Sequence, residues 1–152
     1  MADIRSLPRI DEHATVVAAD PAAVWAALLE TVDGIGASPA GAGYARLVRS
    51  RYPKASGPRP LAEGSTIPGF RVETAVPVEL LALEGRHAFS EYALVFRIEH
   101  VDSGSSRLSA ESRAAFPGPH GRLYRALVIG TRGHVVAVRG ILARVRRRAE
   151  RA

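Results

Sequence analysis

The chain has 152 residues, a formal net charge of +6 and a pI near 10.7, and it contains no cysteine. That length suits one domain around one core, and the missing thiols exclude disulfides, zinc–thiolate centres and cysteine nucleophiles. The charge is local: residues 139–152 hold six arginines against Glu150, a net of +5 that leaves +1 for the rest. Cations at a helix C-terminus are favoured by the macrodipole, by roughly 0.3–1 kcal/mol each, so this tail does not mark the domain as a nucleic-acid binder.

The N-terminal MADIRSLPRIDEHA lacks the apolar stretch of a secretory signal. Arg132, His134 and Arg139 interrupt the most apolar run of the chain, so no stable membrane insertion is expected and a soluble, cytoplasmic protein is. His13–Ala19 is rich in β-branched residues and reads as a strand. Asp20-Pro21 then announces a helix, with Asp20 as cap and Pro21 at the first helical position. Val24, Trp25, Leu28, Leu29 and Val32 follow at helical spacing, and Gly34 is placed to end the helix. Tyr44, Leu47, Val48 and Tyr52 predict a second, short helix, and the prolines and glycines of 53–69 predict a long loop.

Four strands are predicted next, over 70–76, 78–89, 91–101 and 107–116. In the third, Tyr92, Leu94, Phe96 and Ile98 oppose Arg97 and Glu99; in the fourth, Leu108, Ala110, Ser112 and Ala114 oppose Arg107, Glu111 and Arg113. Short connections make these strands antiparallel neighbours with one covered face. Pro117-Gly118-Pro119 ends the run. From Gly121 the period becomes helical, with Tyr124, Leu127, Val128, Thr131, Val135, Val138, Leu142 and Val145 on one face. The pattern predicts a single α+β domain over 1–152, with a sheet covered by one long C-terminal helix.

That order resembles the helix-grip fold of the START-related, birch-pollen-allergen-like superfamily (SRPBCC), which includes polyketide cyclase-like proteins. The stretches that carry the resemblance are ATVVAADPAAVWAALLE, GSTIPGFRV and FPGPHGRLYRALVIGTRGHVVAVRGIL. It implies a curved antiparallel sheet wrapped around the C-terminal helix, with short helices after the first strand and a cavity between sheet and helix. It also implies binding of lipids, steroids, polyketides or other apolar molecules, with cyclisation of polyketides in some members.

Gly130-Thr131-Arg132-Gly133 locally resembles the GXXG clamp of KH-type RNA-binding domains. A KH domain needs further strand structure after this point, whereas the 19 residues beyond Gly133 read as basic helix. The glycines are therefore assigned to a lid helix, although each costs about 1 kcal/mol there relative to alanine.

The inward strand positions predict the ligand site. Phe70, Val72, Leu81, Leu83, Leu94 and Phe96 are expected as apolar walls, with Leu127 and Val128 as the helix lid. Thr74, Tyr92, Ser112, Tyr124 and Thr131 are expected to supply polar contacts. His134 shares a face with Leu127 and Thr131 if the helix is continuous, and His87 is placed to meet it from the sheet. His134, His87 and Tyr92 are the candidate acid/base groups. No histidine pair at metal-ligand spacing, no nucleophile elbow and no phosphate loop occurs, so neither a metal nor a cofactor is expected. The expected partner is a small hydrophobic ligand, with carriage favoured over catalysis.

Overall fold

The computed structural model describes residues 3–36, 39–128 and 132–152. After a short 3-10 turn, Ile4–Ser6, come β1 (Arg9–Val17), α1 (Pro21–Gly36), α2 (Pro39–Leu47) and β2 (Thr66–Ile67). They are followed by β3 (Phe70–Val76), β4 (Leu80–His87), β5 (Ser90–Asp102), β6 (Ser105–Ala115), α3 (Gly118–Val128) and α4 (Gly133–Arg151). The strands form one sheet in the order β1-β6-β5-β4-β3-β2, and every pairing is antiparallel.

The local chemistry explains most boundaries. The Asp20 carboxylate accepts the Ala23 N–H at 2.8 Å, which satisfies one of the unpaired first-turn amides of α1. The helix passes Gly34 and runs to Gly36. β1 begins at Arg9, four residues before the apolar alternation does, because its polar start is held by pairing with β6. Val138, Leu142, Val145 and Ala149 form the buried stripe of α4, which packs on α1 and β1.

The expected single C-terminal helix is two helices. α3 ends at Val128 and α4 starts at Gly133, preceded by Arg132 in a left-handed conformation (φ 60°). A residue in that conformation cannot continue an α-helix, and this region is poor in helix-forming residues. The face shared by Leu127 and His134 is therefore lost. Leu127 is 59% exposed on α3 and is not a lid over the sheet. Gly130, Thr131 and the side chain of Val128 lie outside the described residues. No strand follows Gly133 among the described residues, so the KH arrangement lacks the β-structure it requires.

One face of the sheet is inner. Its cross-strand rows are set by register: Val72, Leu83, Leu94, Ser112 and Asp11 form one, and Ala75, Leu81, Phe96, Ala110 and His13 the next. A bulge between Val72 and Thr74 puts Ala75 on this face and sends Thr74 to the other, where it pairs with Ala82. Thr74 is thus not a site residue.

The inner face is filled unevenly. Toward α1, Leu81, Phe96, Leu108 and Ala110 are fully buried under α1 and the C-terminal half of α4. Toward α3, Phe70, Tyr92, Ala114, Asp11 and His13 are only partly buried. Apolar side chains close one half of the concavity, and its other half is lined by aromatic and polar groups.

Candidate functional site

The half nearest α3 is built by β1, β4, β5, β6 and the two C-terminal helices. Tyr92 lies across β4 at Gly85, where any Cβ would stand 2.3 Å from both Gly69 O and the Tyr92 ring. Glycine is required there by close approach. With Gly85 absent of side chain, the Tyr92 hydroxyl donates to the Gly69 carbonyl, and its ring meets Phe70 edge-on at 5.2 Å. Burial pushes the Tyr92 hydroxyl up to about 12, so it stays protonated.

His87 closes the end of this face. Its ring centroid lies 5.3 Å from Tyr92 and 4.9 Å from Tyr124 of α3. Tyr124 stacks on Phe89 at 5.5 Å, and its hydroxyl meets that of Tyr44 from α2. Burial lowers the His87 pKa, which keeps the imidazole neutral. Its Nδ1 accepts the Phe89 N–H at 3.1 Å, so the neutral ring carries its proton on Nε2.

Asp11 organises the opposite side. Its carboxylate bonds His13 Nε2 at 3.0 Å and His134 Nε2 at 3.2 Å, tying the first turn of α4 to β1. Burial opposes the charged form of Asp11, but the two histidine bonds and the attraction of the imidazoles outweigh it and lower its pKa. Beside it on β6, the Ser112 hydroxyl is buried and has no hydrogen-bond partner among the described residues.

No family model matches the chain, and no curated protein matches it in sequence. Solved structures do match across nearly its whole length. The Zhui aromatase/cyclase from Streptomyces sp. R1128 superposes with a TM-score of 0.56 at 15% identity, covering 93% of this chain and 95% of that one. Truncated norcoclaurine synthase from Thalictrum flavum gives 0.54 at 11% identity, covering 92% and 96%. Ara h 8.0201 gives 0.53 at 9% identity, covering 93% and 97%. The chain has the helix-grip fold of these structures. At these identities the likeness is one of architecture, and the chemistry of this helix-grip protein must be read from its own residues.

Within that fold the expected walls divide. Val72, Leu81, Leu83 and Phe96 are core, each no more than 2% exposed, with Leu94 at 8%. Phe70 alone among them is partly open. Of the expected polar groups, Tyr92, Ser112, Tyr124, His87 and His134 are brought to the α3 half of the helix-grip concavity. The expected meeting of His87 with His134 does not occur: His134 pairs with Asp11, and His87 with the aromatic rings. Asp11 and His13 are additions that the sequence reading passed over. The signal was an Asp-x-His step, because residues two apart in a strand share a face. Tyr44, Phe89 and Phe116 are also additions, brought to Tyr124 by tertiary packing.

The arrangement offers protonated hydroxyls, a neutral imidazole and a carboxylate-oriented imidazole beside apolar surface. These groups can bind and orient a carbonyl or hydroxyl on an otherwise apolar molecule. No group of three or more potential metal ligands occurs among the described residues, and no helix among them is long and apolar enough to cross a membrane.

Proposed function

We propose that the protein binds a small, mostly apolar, oxygen-bearing molecule on the inner face of the sheet at its α3 half. Ser112 carries this reading. A buried hydroxyl without a partner costs free energy, and such groups in native proteins call for a ligand, water or strain as their reason. Here the hydroxyl sits in a row with Leu94 and Asp11, one step from Tyr92, where a ligand oxygen can complete it. His134, Tyr92, Phe70 and Tyr124 supply the remaining contacts. Val128 and Thr131 remain candidates from their sequence positions. The similarity in fold to a protein named as an aromatase/cyclase supports an oxygen-bearing, largely carbon-framed occupant.

A solvatochromic naphthyl ketone is a suitable probe. Its emission is expected to shift to the blue on binding, and Ser112→Val is expected to weaken binding about tenfold, the value of one hydrogen bond and a steric intrusion. Equal binding by Ser112→Val, or no binding by the wild type, refutes the assignment.

Catalysis of a polyketide cyclase/aromatase type is the second reading, and the Asp11–His134 pair favours it. A histidine oriented by a carboxylate can remove a proton next to a ketone, while the His87 Nε2–H can stabilise the enolate oxygen. Turnover of a poly-β-keto substrate tests this. His134→Ala is expected to reduce it about 10²–10⁴-fold, and turnover indifferent to that change removes His134 from the mechanism.

A further inference from the structure

A second hollow lies on the flank of α1, away from the polar groups described above. It has a volume of about 980 Å³ and runs between α1 and residues 59–63, reaching the end of β3 at Ala75 and Pro77. Trp25, Leu29, Pro60 and Leu61 give it apolar walls. Its charge is unlike that of the chain. Glu30, Asp33 and Glu63 line it against one cation, Arg59, a local balance of −2 in a protein of net +6.

Arg59 is not available to a ligand. Its guanidinium donates to the carbonyls of Ser56, Pro58 and Thr66 at 3.0 Å and lies 3.1 Å from Asp33, so it fastens the 56–66 segment to α1. Glu30 and Glu63 keep their carboxylates at the exposed rim: Glu30 lies 3.6 Å from Arg148, and Glu63 accepts the Ala75 N–H at 3.4 Å. A volume of this order is within the usual range for small-molecule sites. Apolar walls with a tryptophan, under a rim of two carboxylates, complement a molecule with an apolar body and a cationic end.

We propose that this cleft is a second binding site, selective for an apolar molecule that carries a protonated amine. Trp25 is the only tryptophan of the chain, so its fluorescence reports occupancy directly. The probes are n-octylamine, n-octanol and n-octanoate at pH 7 and low salt, where an alkylamine is charged. The amine is expected to bind about five- to tenfold more tightly than the alcohol, and the carboxylate more weakly than either. Salt is expected to reduce the amine's advantage, and Glu30→Gln combined with Glu63→Gln to abolish it while leaving the alcohol unchanged. Ala26 is exposed and lines the cleft, so Ala26→Phe fills it without entering the core and is expected to remove binding of all three. Ser112→Val, at the inner-face site, is expected to leave them unaffected. Equal affinity for amine and alcohol, a response that survives Ala26→Phe, or no response at millimolar amine overturns the proposal.

Discussion

Two serines on one strand make opposite predictions about stability. Ser112 is 4% exposed and its hydroxyl is unpartnered, whereas Ser106 is fully buried and its hydroxyl donates to the Ala19 carbonyl at 2.8 Å. Leaving a buried hydroxyl unmade costs about 1–3 kcal/mol. Ser112→Ala removes that penalty and leaves a void of one oxygen, worth a few tenths of a kcal/mol at about 24 cal/mol per Å³. The ligand-free variant is therefore expected to gain about 1 kcal/mol, or about 2–4 °C in Tm for a chain of this size. Ser106→Ala loses a made bond and is expected to cost about 0.5–1.5 kcal/mol. Urea melts of both variants with unchanged m-values measure the two effects. If Ser112→Ala destabilises as Ser106→Ala does, the Ser112 hydroxyl has a partner in the free protein, and the reason to place a ligand oxygen there disappears. If the sign holds, the serine is retained at a cost to stability, as expected where a residue serves binding.

Gly85→Ala is expected to destabilise by about 2–4 kcal/mol, combining overpacking with the lost Tyr92–Gly69 bond; chemical denaturation measures it, and a neutral result would mean that Tyr92 does not cross β4 there. Asp11→Ala is expected to cost about 1–2 kcal/mol near neutral pH through the loss of both histidine bonds. Because the folded-state pKa of Asp11 is lowered, its contribution is present above the unfolded value of 3.8 and disappears as pH falls through the folded one, so the variant's deficit should shrink at acid pH. His87 also has a lowered folded pKa, so the unfolded chain takes up its proton first as pH drops below 6.5, and stability falls with it. His87→Phe should flatten the stability–pH curve in that window, and an unchanged curve would assign the slope to other groups.

Element type and order were legible in the sequence because they depend on local chemistry. Asp20-Pro21 starts a helix wherever it stands, and the alternation of Leu94, Phe96 and Ile98 has a strand's period in any context. The resemblance to helix-grip proteins rested on that order, and the pairing of six strands under α4 bears it out. Three features depended on the assembled structure. The bulge after Val72 reversed Thr74 and Ala75, since a one-residue irregularity moves every later side chain to the other face. The left-handed Arg132 divided the C-terminal helical region and removed Leu127 from the expected lid, a backbone choice that hydrophobic spacing does not record. The third feature was the grouping of polar side chains. His134 lies 123 positions from Asp11 in the chain, and only the packing of α4 on β1 brings them within 3.2 Å. Sequence periodicity sets which face a residue shares with its near neighbours. Contacts between distant segments are set by how the elements pack, and the chemistry of this protein resides in those contacts.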